Sequence, residues 1–296
     1  HPKRVHSIRN MDGFSKTSSP AAMETAMNTP IRGWRDRVFS VAALLFVFLF
    51  IFFVVVLVAA DVFYVDRQAI LKALTSRFVL GALWMSVWTS FLSTFLALLF
   101  AVPMGYALSR FSFPGRFLAD AVVDLPIVFP PLVVGLTLLV FFSQTALGKW
   151  IQDDLGIEFV FQPKGIVLCQ FVAAASFAIR SAKTAFDDVD LRFENVALTL
   201  GCTQWGSFRR VSLPLARNGI IAGGILTWAR ALGLFGPLII FVGTAGGVRV
   251  LSTTIFLEQS VGNLEVALAI ALLLIFVALI AVAGIRLVGG STLVKF

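Results

Sequence analysis

An uncharged apolar run from Val38 to Ala60 constrains the fold of this chain more than any other feature. A helix of about 20 apolar residues is long enough to cross the hydrocarbon core of a bilayer. The run is also longer than the apolar centre of an ordinary cleaved signal peptide. We therefore predict a membrane-spanning helix here, preceded by a disordered tail over residues 1–37, which are rich in Ser, Thr, Pro and Arg.

Further apolar runs indicate a polytopic membrane protein. Of the 296 residues, 58% are hydrophobic and 14% are charged, whereas about a quarter of a soluble domain is charged. We predict an all-α integral membrane protein with about six transmembrane helices, the remaining five lying at 80–108, 121–142, 165–179, 218–242 and 264–285. The segment 165–179 is the shortest of these and the weakest candidate.

Proline and charge interrupt two of the predicted spans. Pro126, Pro130 and Pro131 predict a kink or break in the third span, because proline removes a backbone donor and clashes with the preceding turn. Arg230 and Pro237 interrupt the fifth span. A charge near the middle of a span is a functional hypothesis by default.

The distribution of Lys and Arg predicts the orientation. With the N-terminus inside, seventeen of the 24 basic residues fall in inner segments, six in outer segments and one, Arg230, within a span. Because basic residues are enriched on the cytoplasmic side, both termini are predicted to be cytoplasmic, as is the polar stretch 180–217. This placement accounts for the net charge of +8. A nucleic-acid partner is not expected, since it would need a basic patch on a folded polar surface.

The polar stretch has the pattern of two short helices joined at an elbow. Asp187, Asp188 and Asp190 are candidate N-caps, and Gly201 is a typical helix stop. Between them lies an apolar stripe at helical spacing, formed by Phe193, Val196, Ala197 and Leu200. Such a stripe either packs on the protein's own inner surface or lies in the groove of a partner.

The segment GCTQWGSFRRVSLP continues the elbow from Gly201 to Pro214. Thr203 can cap a second short helix that carries Trp205 and Phe208, and two adjacent arginines follow. Pro214 stands where the next helix is predicted to begin.

These residues resemble the cytoplasmic signature of permease subunits of bacterial ABC importers. That signature reads Glu-Ala-Ala, three residues, Gly, nine residues, Ile, one residue, Leu-Pro. Here Gly201 is followed by nine residues and then by Val211, Ser212, Leu213 and Pro214. The Glu-Ala-Ala positions fall on Asn195, Val196 and Ala197, with Glu194 one residue early.

The flanking segments extend the resemblance over about 78–290. LPLARNGIIAGGILTWARALGLFGPLIIFVG and LSTTIFLEQSVGNLEVALAIALLL are most similar to the molybdate/tungstate and the sulfate/thiosulfate permeases. The resemblance implies a type I importer fold, with a first span and outer loop at 38–77, a permease domain at 78–290 and a coupling loop at 183–215. It also implies an oxyanion substrate, with molybdate or tungstate preferred.

The resemblance implies several partners, namely a dimer of ABC ATPase subunits, a second permease copy, a periplasmic or lipid-anchored oxyanion-binding protein, and membrane lipid. The coupling loop would contact the ATPase, with Trp205 and Phe208 as apolar anchors and Arg209 and Arg210 contacting the ATPase or lipid phosphates. The full set of coupling candidates is Glu194, Asn195, Ala197, Gly201, Trp205, Phe208, Arg209, Arg210, Leu213 and Pro214.

Arg230, Pro130 and Pro131 are the candidate residues of a translocation path. A cation in the path suits an anionic substrate, and broken helices line the paths of many transporters. Alternatively, Arg230 bonds carbonyls exposed near Pro237 or extends to the membrane surface, and the prolines only shape a kink. Gly219 and Gly223 predict close helix packing, within the chain or across a dimer.

We expect a non-catalytic subunit without cofactor or metal. A P-loop for ATP needs a glycine five residues before its Gly-Lys pair. The only Gly-Lys pair in this sequence ends at Lys149, and Ser143 stands where that first glycine would be, so the motif is absent. ATP hydrolysis is therefore expected in a separate chain. The other classes considered are an ion-driven carrier that works without ATP and a membrane scaffold.

Overall fold

The computed structural model describes residues 33–244 and 248–288. Within these ranges every regular element is helical, in agreement with the all-α prediction. The tail predicted for 1–37 lies outside the described residues except for its last five. The helices are α1 Trp34–Tyr64, α2 Arg67–Thr75, α3 Arg77–Arg110, α4 Arg116–Val128, α5 Pro131–Gln144, α6 Ala146–Asp153, α7 Pro163–Asp187, α8 Leu191–Thr199, α9 Gln204–Ser207, α10 Leu213–Leu232, α11 Gly236–Phe241, α12 Leu251–Ser260 and α13 Leu264–Val288, with a π-helical turn at Phe208–Ser212.

The chain divides into two compact units, residues 1–60 and 61–296. In the first unit, the described residues are 33–60, which include most of α1 and whose large apolar side chains are mostly exposed. The second unit begins at Asp61. The segment 61–77, which was expected to be an outer loop, contains α2. Ala69 and Ala73 of α2 are buried in a cluster with Val79 of α3 and Ile270 of α13.

Four described helices are long and apolar enough to cross a membrane, and one bent pair adds a fifth. The four are Asp36–Tyr64, Arg77–Arg110, Pro163–Asp187 and Leu264–Ala283. The bent pair is α4 and α5, which meet at 109°, so the predicted break in the third span is confirmed. The weak candidate at 165–179 proves to be a full helix of 25 residues. The predicted span at 218–242 is divided between α10 and α11, and the count of six is not confirmed.

Helices α3, α7 and α10 share the largest buried cluster, in which Phe186, Ala97 and Ala216 are almost fully buried. Small residues bring these helices close together. A Cβ added at Gly223 would lie 2.2 Å from the Cβ of Ser181 on α7. The predicted glycine packing is therefore confirmed, and it occurs within the chain.

The two helix breaks, α4–α5 and α10–α11, lie against one another. A Cβ at Gly236 would be 3.3 Å from the Leu132 side chain at the start of α5. Side chains from other helices bond the carbonyls near the second break: Gln170 donates to the carbonyl of Ala231 at 3.0 Å, and Ser252 donates to that of Leu234 at 2.7 Å. These donors satisfy backbone groups that a broken helix leaves open in a membrane.

Candidate functional site

Local capping chemistry builds the elbow as the sequence predicts. Asp190 caps α8 by accepting from the backbone N–H of Arg192 at 2.9 Å, and Thr203 caps α9 by accepting from that of Gly206 at 3.1 Å. Gly201 ends α8 with φ 87°, in the left-handed region where a side chain is disfavoured.

The turn at Gly201 closes with two backbone hydrogen bonds. Its N–H donates to the carbonyl of Leu198 at 3.0 Å, and the N–H of Cys202 donates to that of Ala197 at 3.0 Å. This is a Schellman motif, which satisfies the last carbonyls of α8. The elbow is therefore a defined turn rather than an irregular loop.

The large residues of the predicted apolar stripe point away from the protein. Phe193 and Val196 are exposed, and Leu200 is 80% exposed, whereas Ala197 is buried. Beyond the turn, Trp205 is 67% exposed. Of the two alternatives for the stripe, packing on the chain's own surface therefore holds only for Ala197. We refer to Phe193, Val196, Leu200 and Trp205 as the exposed elbow residues.

Phe208 is only 9% exposed, so it differs from Trp205, with which the sequence pairs it. Its ring stacks on Trp205 with centroids 5.4 Å apart. On its other side it meets Tyr106 of α3 at 4.7 Å and Phe186 of α7 at 6.0 Å. Phe208, expected as an apolar anchor beside Trp205, therefore packs in the chain's own core and supports the ring of Trp205.

Glu194 also faces inward. Its Oε1 accepts from Arg110 Nε at 2.8 Å, and its Oε2 accepts from the Tyr106 hydroxyl at 3.1 Å. The sequence led us to expect that this acid contacts a partner, whereas its carboxylate is buried and ion-paired within the chain. Arg110 and Tyr106 were not among the candidates: the sequence shows a cation at the inner end of a span, but not that it pairs with an acid 84 residues away.

The remaining coupling candidates divide by exposure. Asn195, Arg209, Arg210 and Pro214 are exposed, and Leu213 is partly buried against the core. Pro214 is the second residue of α10, as expected for a proline at a helix start. The elbow thus presents apolar and cationic side chains outward and an acid inward.

Arg230 lies on an exposed part of α10. Its guanidinium carbon stands 5.1 Å from the ring centroid of Phe177, and within the described ranges it forms no ion pair. The carbonyls near the α10–α11 break are bonded by Gln170 and Ser252 instead, so the alternative that Arg230 performs this task is not supported.

Pro130 and Pro131 lie at the bend between α4 and α5, and both are exposed. Leu132 follows them directly and contacts Gly236, which lies six residues after Arg230. The structure therefore brings together the two chain segments that hold the path candidates.

An ion cluster ties the first turns of α4 to α7. Arg180 Nη1 lies 2.8 Å from Asp120 Oδ1, and its Nη2 bonds Asp124. Arg116 Nε is 4.0 Å from Asp120 Oδ2. Helix α7 continues past residue 179, where the predicted apolar span ends, and Arg180 lies in this continuation.

Comparison with known proteins identifies relatives along most of the chain. The probable molybdenum ABC transporter permease protein of Haloferax volcanii is 38% identical over 78% of this chain and 84% of its own length. The molybdenum transport system permease protein of Escherichia coli K12 is 40% identical over 55% of this chain and 74% of its own. The sulfate transport system permease protein of the same strain is 31% identical over 71% and 76%.

Solved structures and the family model agree on the fold. A subunit of a bacterial alginate ABC transporter, crystallised with its pentasaccharide-bound periplasmic protein, superposes with a TM-score of 0.70 at 17% identity, covering 89% of this chain and 96% of that one. Residues 97–289, which include the elbow and Arg230, match the model of binding-protein-dependent transport system inner membrane components. This chain therefore belongs to that family of multi-pass inner membrane transport proteins.

Proposed function

We propose that this chain forms the path by which an oxyanion, molybdate or tungstate, enters the cell, driven by a separate ATPase. The observation that carries the proposal is the exposure of Leu200 and Trp205 on the elbow. This chain, a member of the matched family, holds both side chains outward on either side of the turn at Gly201. Exposed large apolar side chains in a cytoplasmic segment indicate a docking surface. The choice of molybdate or tungstate as substrate is supported by the relatives that are named for molybdenum transport.

The elbow suits a cleft on an ATPase subunit. Trp205 offers a large flat surface that is already supported by Phe208, so little conformational entropy is lost when it docks. Arg209 and Arg210 are exposed beside it and can pair with acidic groups of the ATPase or with lipid phosphates. In this arrangement the ATPase moves the elbow, and the elbow moves the spans.

Arg230 supports an anion path between two copies of the chain. It shares an exposed face of α10 with Leu226, Ala229 and Gly233. Arg230 lies in the last turn of α10, and a charge turned to lipid inside a bilayer costs up to about 2.5–3.5 kcal/mol. This face is therefore better placed against an aqueous path and a second permease copy. We therefore propose a homodimer with α10 near its axis.

The proposed transport domain is 78–290, with the coupling loop at 183–215. Sulfate or thiosulfate is the second candidate substrate, and the lower identity of the sulfate relative makes it the weaker one. An extracytoplasmic binding protein would capture the anion and deliver it to the outer side of the path.

Uptake by intact cells tests the substrate. Cells with and without this chain, both supplied with the ATPase and the binding protein, are given labelled molybdate or labelled sulfate. We expect molybdate accumulation that depends on the chain and that excess unlabelled tungstate suppresses. Chain-dependent accumulation of sulfate but not molybdate would refute the proposed preference.

Cys202 provides a test of the orientation. It is the partly exposed cysteine of the elbow, whereas Cys169, the other cysteine in the chain, is buried. A membrane-impermeant maleimide should label Cys202 in inside-out vesicles and leave it unlabelled in right-side-out vesicles. Labelling in right-side-out vesicles would place the elbow outside and would exclude ATPase docking there.

A further inference from the structure

The pair of Arg110 and Glu194 is unusual among the ion pairs in the part of the chain that the structure describes. Its side chains are 7% and 9% exposed, whereas each other pair has at least one side chain that is much more open to solvent. Arg110 also donates to the carbonyl of Val189 at 2.7 Å. A single side chain at the end of α3 therefore holds both α8 and the segment that leads into it.

Tyr106 strengthens the same joint. One turn before Arg110 on α3, its hydroxyl donates to Glu194 at 3.1 Å. Its ring packs against Phe208, on which Trp205 stacks. Both sides of the elbow are thus attached to the end of α3: α8 through Glu194, and α9 through Trp205, which stacks on Phe208.

The middle of α3 is connected by hydrogen bonds to the residue that follows Arg230. The hydroxyl of Ser93 donates to the side-chain oxygen of Gln170 at 3.3 Å, and the amide of Gln170 donates to the carbonyl of Ala231 at 3.0 Å. Ala231 directly follows Arg230 in the chain. Helix α3 is therefore bonded to the elbow at its inner end and, through Gln170, to the backbone beside the proposed path.

We propose that Glu194 is the positioning residue that transmits elbow movement to the path, by joining α8 to Arg110 of α3. The inference deepens the proposed function and rests on it. Because the carboxylate faces into the chain rather than towards the ATPase, its loss should leave docking intact and uncouple movement of the elbow from that of α3. Glu194 thus acts within the permease.

The test uses the complete complex of permease, ATPase and binding protein in proteoliposomes supplied with ATP and molybdate. The variants are Glu194→Gln, Arg110→Gln and the double variant. Lys183→Gln is the matched control, because its ion pair with Asp187 joins two residues of α7 only. Three quantities are measured: the ATPase that co-purifies, ATP hydrolysis, and molybdate taken up per ATP hydrolysed.

We expect each single variant to lower uptake per ATP about tenfold, within the usual range of coupling between sites. Co-purified ATPase and basal hydrolysis should remain at the wild-type level. The double variant should be no worse than Arg110→Gln alone, since the ion pair with Glu194 is already lost in that variant. The Lys183→Gln control should transport normally.

Three results would overturn the inference: normal uptake by Glu194→Gln, loss of co-purifying ATPase from that variant, or multiplied defects in the double variant. If Glu194→Gln accumulates poorly, Tyr106→Phe serves instead, because it removes one hydroxyl from a ring of unchanged shape. Its uptake per ATP should fall about threefold, and wild-type uptake would contradict the proposal. A wild-type complex that imports no oxyanion would instead refute the proposed function itself.

Discussion

Replacement of Gly201 by alanine changes the elbow by a known amount of strain. Gly201 has φ 87°, and no atom lies within 4 Å of where a Cβ would stand. The cost of the methyl group is therefore confined to the backbone, about 1–2 kcal/mol for an L-residue in the left-handed region. Gly201→Asn should cost less, because asparagine tolerates this conformation.

The strain should appear as weaker docking of the ATPase. A free elbow can relax into another conformation, whereas a docked one has to hold the turn. A loss of about 1–2 kcal/mol corresponds to an affinity lower by about 5- to 30-fold. Titration of the ATPase onto permease in nanodiscs measures this change. Gly201→Pro, which also removes the N–H bonded to Leu198, should abolish ATP-coupled uptake while membrane insertion stays intact.

Gly262 provides the matched control. Its φ is 85°, and it too has open space around the position of a Cβ. It follows α12, between elements distant in sequence from the elbow. Gly262→Ala should carry the same local strain with no effect on ATPase affinity. The reasoning fails if Gly201→Ala and Gly262→Ala change the affinity equally, or if Gly201→Pro transports normally.

Three further substitutions test separate parts of the account. Trp205→Ala should weaken ATPase binding by about 2 kcal/mol or more, as for a buried aromatic anchor, whereas Trp84→Ala, also exposed, should leave calorimetric affinity unchanged. Arg230→Gln should lower molybdate uptake about tenfold with docking intact, and normal uptake would remove Arg230 from the path. Gly223→Val should lower the thermal unfolding temperature, since its Cβ would meet α7 at 2.2 Å; Gly81→Val, with nothing within 4 Å, should not.

Local chemistry made much of the elbow predictable. Asp190, Gly201 and Thr203 act on residues within a few positions of themselves, so their roles as caps and stop follow from their types and spacing. The broken third span was predictable for the same reason, because its prolines forbid a continuous helix. Apolar length likewise located the four long spans.

Long-range pairing was not predictable in the same way. Glu194 and Phe208 have the types expected at a docking surface, yet tertiary contacts with Tyr106 and Arg110 turn them inward. Similarly, the sequence places Arg180 in a polar loop, whereas the structure pairs it with Asp120 of α4. Periodicity shows which residues share a helix face, but not which element lies opposite that face.

Reconstituted transport tests the central claim most directly: the chain forms a path but supplies no energy, and the elbow receives the movement from an ATPase. Purified permease is placed in vesicles with the binding protein and labelled molybdate, with or without the ATPase chain and ATP. We expect accumulation against a gradient only when the ATPase and hydrolysable ATP are both present, and its loss with vanadate. Accumulation of molybdate by the permease in the absence of any ATPase would contradict the account.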